Sequence, residues 1–301
     1  AATWSEAKHS VQTELSARTT PYPPPPLKSL GLRSEKVAVL ILQAGDGPDM
    51  KTARGAIELM RPGNAIAAGV LTFIGAFVAG GAGTPVLASL AVLATTFATS
   101  GGNAINDYFD RDIDAINQPN RPIPRGAVPP NIALGFSVAL FIGAIALTLL
   151  LPLAAIVIAV INLIALVAYT ELFKGLPGVG NALVAYLTGS TFLYGGAAVG
   201  GDLRTVLILF VLAAGATMAR EIVKDVEDIE GDREEGLNTL PIAVGKRPAL
   251  FVAAVFVGFA IVVSPAPYLL GTFGSTYLLV LAPTTAGLVA GMYRSFTDPT
   301  R

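Results

Sequence analysis

Eight apolar runs of membrane-spanning length follow one another between residues 64 and 293. A helix needs about 20 mostly apolar residues to cross a bilayer. Inside the bilayer a backbone can satisfy all its hydrogen bonds only in a helix or in a closed barrel. Only 14% of the residues are charged, as expected for a membrane protein. We therefore expect an all-α, polytopic membrane helical bundle, with spans near 64–82, 85–104, 131–150, 152–169, 180–200, 203–222, 241–263 and 275–293.

Residues 1–50 have a different composition from the rest of the chain. They are polar, contain four consecutive prolines at 23–26 and lack a long apolar period. We expect residues 1–50 to be a mostly disordered tail and residues 51–301 to be the transmembrane domain, which an interfacial helix near 51–61 begins.

The basic residues fix the expected orientation. After position 50, nearly all of them fall in one alternate set of loops and helix ends, and the other set carries only Arg204. The positive-inside rule places the basic side in the cytoplasm. The chain is therefore expected in the cell membrane, and its net charge of −1 gives no field that would attract nucleic acid.

Two short segments hold ten carboxylates and are near copies of each other. The first acidic segment runs from Asn103 to Asp114 and the second from Glu221 to Asp232. A shift of 118 residues superimposes three aspartates of the first segment on three of the second. Each segment follows an apolar run, and four spans separate the two, so both are expected at the cytoplasmic face. The offset suggests two pseudo-repeated four-helix units.

Helical spacing sorts these carboxylates. Residues at i, i+4, i+7 and i+11 share one face of a helix, and two sets fit that spacing: Asn103, Asp107, Asp110 and Asp114, and Glu221, Asp225, Asp228 and Asp232. Asn106 lies one turn before Asp110 and can reach the same side. Asp112, Glu227 and Glu230 are expected to face away.

The Asp and Asn side chains of these segments offer hard oxygen ligands and no sulfur. Such a ligand set favours Mg²⁺, Mn²⁺ or Ca²⁺ over zinc or copper. The chain has no cysteine, and its one histidine, His9, lies in the polar tail, so a catalytic Ser-His-Asp triad is not expected. Two acidic walls suit a phosphorylated substrate held through bridging metal ions. The alternative is solvated loop carboxylates, which the matched spacing disfavours.

Basic residues beside the acidic segments could bind phosphate oxygens. Arg121-Pro-Ile-Pro-Arg125-Gly126 is a stiff connector whose two guanidinium groups suit a diphosphate. Lys174 and Lys224 are further candidates. For each of them, an ordinary role in membrane orientation remains open.

These motifs resemble the UbiA family of intramembrane prenyltransferases. Asn106-Asp107-x-x-Asp110-x-x-x-Asp114 is similar to the family's first motif, and Asp228-x-x-x-Asp232 to its second, within a longer pattern that begins at Lys224. The segment from Arg121 to Gly126 is similar to a third family element. The resemblance covers about residues 55–293.

The resemblance implies a Mg²⁺-dependent transfer of a prenyl group from its diphosphate. It implies metal binding by Asn106, Asp107, Asp110, Asp114, Asp225, Asp228 and Asp232, of which Asp110, Asp114, Asp228 and Asp232 are the expected catalytic set. Family members usually have nine spans, one more than the sequence predicts here.

Two stretches point to an acceptor. Arg220–Asp232 and Leu59–Asn64 are most similar to archaeal members that attach a geranylgeranyl group to a hydroxyl of geranylgeranylglyceryl phosphate. Arg61, Asn64 and Tyr169 are then candidates for binding that acceptor. An aromatic acceptor such as 4-hydroxybenzoate is the alternative within the family, and a divalent-cation transporter is the alternative from another class.

Overall fold

A computed structural model describes residues 48–169, 173, 175–234 and 236–297 of the chain. The predicted tail therefore lies outside the described residues, except for its last three positions. The bundle belongs to a compact unit that begins at Thr52. Regular structure in the described ranges is helical throughout, without a β-strand, which confirms the all-α prediction.

Thirteen α-helices are described, and a short 3₁₀ turn at Gly81–Gly83 follows the second. In chain order they are α1 (Pro48–Leu59), α2 (Pro62–Val78), α3 (Pro85–Phe109), α4 (Arg111–Asn117), α5 (Pro130–Thr148), α6 (Leu153–Ala168), α7 (Val179–Ala198), α8 (Leu203–Glu227), α9 (Ile229–Glu234), α10 (Leu240–Val244), α11 (Lys246–Val263), α12 (Ala266–Leu269) and α13 (Thr276–Thr297).

A long helix lies at each predicted span, but the helices differ in their capacity to cross a bilayer. By length and apolarity, five helical stretches in the described chain qualify: α3, α5, α8, α13 and the stretch Lys246–Leu269. Helices α1 and α2 qualify only together, and their axes differ by 47°. If they form one bent span, the number of candidate spans in the described chain rises to six. Helix α6 is apolar but shorter than these. These lengths support a multi-pass bundle without fixing the number of spans.

Helix α7 departs from the apolar pattern because it lies inside the bundle. It contains Asn181, Ser190 and several glycines, and more than half of its residues are buried. It packs against α2, α6, α8 and, more lightly, α3. A helix that neighbouring helices cover exposes little surface to lipid, so small and polar residues are tolerated in it.

Glycines set the close approach of α2 and α7. A methyl group on Gly75 would collide with the backbone of Phe192, and one on Gly195 would collide with the carbonyl of Thr72. Transmembrane helices use small residues in this way, because dispersion contacts rather than water exclusion hold them together. The α2–α7 contact therefore depends on these two glycines.

We predict that Gly195→Ala lowers the free energy of unfolding by about 1–3 kcal/mol or more, because the added methyl meets backbone that cannot rotate away. Gly258→Ala is the matched control: it lies in helix α11 with open space around its Cβ position, and it should be neutral or stabilising by up to about 1 kcal/mol. Thermal unfolding in detergent measures both. Equal midpoints for the two variants would contradict the packing.

Candidate functional site

Each acidic segment is built on a helix that breaks at a single aspartate. Helices α3 and α8 both have 25 residues, and in each case a single residue separates the helix from the next one. The break residues are Asp110, with φ −81° and ψ 2°, and Asp228, with φ −92° and ψ 7°. The two positions thus share sequence spacing and backbone conformation.

Helical hydrogen bonds continue across both breaks. The amide of Asp114 donates to the carbonyl of Asp110 at 2.8 Å, and that of Asp232 donates to Asp228 at 2.9 Å. Side chains one turn apart therefore stay on the same side of the chain, as the stripe prediction requires.

Arg121 bridges two buried carboxylates of the first segment. Its guanidinium nitrogen lies 2.5 Å from an oxygen of Asp114 and 3.4 Å from an oxygen of Asp107. Arg61 approaches the same Asp107 oxygen to 2.5 Å. Both aspartates are buried, whereas the arginines are about one-third exposed. The arginines supply the positive charge that the buried carboxylates would otherwise lack.

Arg61 reaches Asp107 from an unusual backbone conformation. Its φ of 48° is the only positive value among the described residues other than glycine. Such a left-handed conformation typically costs about 1–3 kcal/mol and persists where its surroundings hold it. The Asn103 side chain donates to the carbonyl of Met60 at 2.9 Å. The predicted stripe member Asn103 therefore holds the turn that presents Arg61.

Arg125 has a different environment from Arg121. Its guanidinium binds the Glu58 carboxylate at 2.6 Å and the carbonyl oxygen of Asn120 at 2.7 Å. The structure brings Arg121 to the aspartates and Arg125 to the half-exposed end of α1. The proline-containing connector separates the two arginines in this way.

A polar cavity of about 300 Å³ opens beside the first segment. It is lined by Glu58, Arg61, Asp107, Gln118, Asn120, Arg121 and Pro122. Two guanidinium groups share this wall with the buried Asp107 carboxylate and the half-exposed Glu58 carboxylate, so a group that enters meets donors as well as acceptors.

A buried asparagine holds the second segment. The Asn181 amide nitrogen of helix α7 donates to an Asp225 oxygen at 2.8 Å. The motifs of the sequence did not include Asn181, although an asparagine within a predicted apolar span indicates a polar contact inside the bundle. Glu221, a predicted stripe member, pairs with the adjacent Arg220 at 2.5 Å. Asp228 itself is exposed.

Tyr169 connects the two segments electrostatically. It lies one residue beyond the apolar helix α6, in a π-helical turn. The charges of Glu221, Asp225, Asp110 and Asp232 all act on its hydroxyl. Because carboxylates of both segments act on it, Tyr169 lies near both of them. A tyrosine hydroxyl can donate a hydrogen bond.

The remaining residues that the sequence selected lie in the following places. Asn64 is exposed, and its backbone amide bonds to the carbonyl of Arg61. Asn106 is half-buried on α3, and Lys224 is exposed on α8. Lys174 lies outside the described residues. The three carboxylates expected to face away are exposed: Asp112, Glu227 and Glu230.

The donor chemistry fits a hard cation, although the side chains are not gathered around one point. Within the described ranges, no three acidic, histidine or cysteine side chains are close enough together to hold a metal ion. Mg²⁺ commonly uses one or two protein carboxylates and completes its shell with water and substrate phosphate. Aspartates from two walls suit such a shared ion better than an all-protein cage.

Comparisons with known proteins agree with the motifs. A family model described as the UbiA prenyltransferase family matches residues 68–301. The digeranylgeranylglyceryl phosphate synthase of Natronomonas pharaonis is 71% identical over 83% of this chain and 91% of its own length. The Haloquadratum walsbyi protein of the same name is 58% identical over 83% and 88%.

Solved structures show the same fold. A digeranylgeranylglyceryl phosphate synthase structure superimposes with a TM-score of 0.71 at 37% identity, over 83% of this chain and 89% of the other. A UbiA homologue from Archaeoglobus fulgidus bound to GPP and Mg²⁺ gives a TM-score of 0.67 at 18% identity, over 81% and 87%.

We predict that Arg61→Ala lowers the free energy of unfolding by about 1–3 kcal/mol, because it leaves buried Asp107 short of a partner. The double variant Arg61→Ala, Asp107→Asn should recover much of this loss, since the uncompensated charge is gone. Arg125→Ala is the control and should cost less than about 1 kcal/mol, because its Glu58 partner is half-exposed. Thermal unfolding in detergent tests the order; equal losses for both arginines would contradict it.

Proposed function

Since this chain belongs to the UbiA prenyltransferase family, we propose that it moves a geranylgeranyl group from geranylgeranyl diphosphate to the hydroxyl of geranylgeranylglyceryl phosphate. The observation that carries this is the identity, up to 71%, with relatives named for that synthase activity. The reaction forms an ether bond of an archaeal membrane lipid. The two acidic segments then face the diphosphate of the donor.

The aspartates of both segments are the proposed ligands of the metal. Asp110, Asp114, Asp228 and Asp232 form the central set, and Asn106, Asp107 and Asp225 support it. Mg²⁺, when bound, supplies positive charge that stabilises the departing diphosphate. Asn181 orients Asp225 through the 2.8 Å hydrogen bond.

The arginines of the first segment are assigned to positioning and charge. Arg121 directs one nitrogen to Asp114 and Asp107, and a guanidinium has five donors in total. The remaining donors can bind diphosphate oxygens from the same cavity wall. Arg61 holds Asp107 in place and lines that cavity. Tyr169, which is close to both segments, can donate a further hydrogen bond to the diphosphate or the acceptor.

The transfer itself needs little covalent chemistry from the protein. The bond from the allylic carbon to the diphosphate oxygen breaks, and a bond to the acceptor oxygen forms. The hydroxyl proton passes to a carboxylate or to the released diphosphate. Positioning of the two substrates lowers the entropic part of the barrier, and the apolar surroundings shield the allylic cation from water.

The membrane arrangement is part of the proposal. The basic residues beside both acidic segments favour a cytoplasmic active site, and the eight apolar runs of the sequence favour eight spans. Two observations support a duplicated four-helix unit: α3 and α8 begin and end 118 residues apart, and their break residues share one backbone conformation.

We expect Asp110→Ala and Asp228→Ala each to reduce Mg²⁺-dependent turnover by at least about 100-fold, as loss of transition-state stabilisation does elsewhere. Asp112→Ala and Glu230→Ala are matched controls, since these carboxylates are exposed neighbours, and they should retain near-normal rates. Labelled geranylgeranyl diphosphate reports turnover, and thermal unfolding confirms that each variant is folded. Normal activity in either break-residue variant would refute the two-wall site.

An acceptor assay separates the alternatives. Purified protein with labelled geranylgeranyl diphosphate should form an ether product with geranylgeranylglyceryl phosphate and none with 4-hydroxybenzoate. Product from the aromatic acid alone would replace the lipid assignment. Metal flux into liposomes without prenyl transfer would instead indicate a cation transporter.

A further inference from the structure

A second cavity lies beside the second acidic segment, between helices α8, α11 and α13. Its volume is about 390 Å³. On α8 it is lined by Ala216, Ala219, Arg220, Val223, Lys224 and Glu227, and α11 and α13 contribute mostly apolar and small residues. We call this cavity the α8–α13 groove.

The α8–α13 groove is amphiphilic along its length. From Glu227 back to Ala216 it follows α8 for about 16 Å, at 1.5 Å per residue. Arg220, Lys224 and Glu227 lie toward the C-terminal end of α8, and the deeper part is formed by small and apolar residues. Glu227 lines the same end and Arg220 is paired with Glu221, so Lys224 is the cation of this end without an ion pair among the described residues.

The cations of the groove differ in their partners from the arginines of the first segment. Arg61 and Arg121 are joined to buried aspartates, and Arg125 to Glu58. Among the described residues, the Lys224 side chain forms no close ion pair, although its charge acts on the neighbouring Asp225. Arg220 pairs with its own neighbour, Glu221, and a guanidinium has further donors beyond that contact. A phosphate in the groove would therefore meet the Lys224 ammonium and the remaining donors of Arg220.

We infer that the α8–α13 groove binds the acceptor substrate, with its phosphate at Arg220 and Lys224 and its isoprenoid chain along the apolar part. This inference rests on the proposed function, because that function supplies a lipid with one phosphate and one long apolar chain. It reassigns Lys224 from the diphosphate of the donor to the phosphate of the acceptor.

The position of Lys224 suits the chemistry of the acceptor. Lys224 immediately precedes Asp225, and its carbonyl accepts the amide hydrogen of Asp228 one turn later. Glycerol has a three-carbon backbone, so the reacting hydroxyl is never far from the phosphate-bearing carbon. An acceptor phosphate bound at Lys224 would therefore keep the hydroxyl within a few bonds of the end of α8, where the chain breaks at Asp228.

Kinetics with two acceptors tests the groove. Arg220→Gln and Lys224→Gln should each raise the KM for geranylgeranylglyceryl phosphate about tenfold, the usual effect of losing a charged hydrogen bond. The KM for geranylgeranyl diphosphate should not change. With geranylgeranylglycerol, which lacks the phosphate, wild type and variants should have the same KM, because the lost interaction is absent in every case. Arg220→Lys and Lys224→Arg should restore most of the affinity.

Arg294→Gln is the matched control. Arg294 is an exposed cation near the end of α13 that does not line the groove, and its loss should leave both KM values unchanged. A variant whose acceptor KM equals that of wild type would overturn the inference. So would a raised KM for the donor, or an equal increase with the phosphate-free alcohol.

Two further outcomes identify other causes. Loss of a co-purified phospholipid from the glutamine variants, with normal acceptor kinetics, would assign the groove to a bilayer lipid and overturn the inference. A wild-type protein that does not use geranylgeranylglyceryl phosphate at all would overturn the proposed function and this inference together. The first failure leaves the proposed function standing, so the two are distinguishable.

Discussion

The free energy of placing carboxylates at the end of an apolar bundle is the constraint on which the rest of the site depends. Asp107 and Asp114 are buried, and an ionised carboxylate in that position is destabilising unless charge and hydrogen bonds compensate it. Arg121 supplies positive charge to both carboxylates, and Arg61 supplies a second positive charge to Asp107. The stiff connector after the first segment and the strained turn at Arg61 both bring a guanidinium to these carboxylates.

The second segment solves the same problem with a neutral donor. Asn181 on the buried helix α7 holds Asp225, and the nearby cations Arg220 and Lys224 face a different cavity. The two halves therefore share a backbone break and aspartate spacing but differ in their charge partners. This difference gives the first segment a polar cavity with two arginines and the second an amphiphilic groove.

Much of this arrangement follows from sequence periodicity. The apolar runs predicted each long helix, and the helical spacing predicted that Asp107 and Asp114 share a face, which Arg121 bridges. The RPIPRG sequence suggested that both of its arginines meet phosphate. The structure separates them, because Arg125 binds Glu58, 67 positions earlier in the chain.

Contacts between distant segments account for what the sequence did not indicate. Asn181 and Asp225 are 44 positions apart, and Asn103 reaches the carbonyl of Met60 across 43. Neither pairing has a local signature, since each arises when two helices pack. The bend between α1 and α2 is likewise set by a left-handed residue that is not glycine, for which composition gives no warning. Helix α7 qualified as an apolar run in the sequence, yet its function is to fill the centre of the bundle.

The central claim is that two acidic segments form one site that binds a single diphosphate through Mg²⁺. Calorimetric titration with an unreactive geranylgeranyl diphosphate analogue, in the presence of Mg²⁺, tests it on wild type, Asp110→Ala, Asp228→Ala and the double variant. A ligand that bridges both walls predicts that each single variant loses nearly as much affinity as the double variant. Unchanged binding in one single variant, or losses that simply add, would show that the segments act separately and would contradict the shared site.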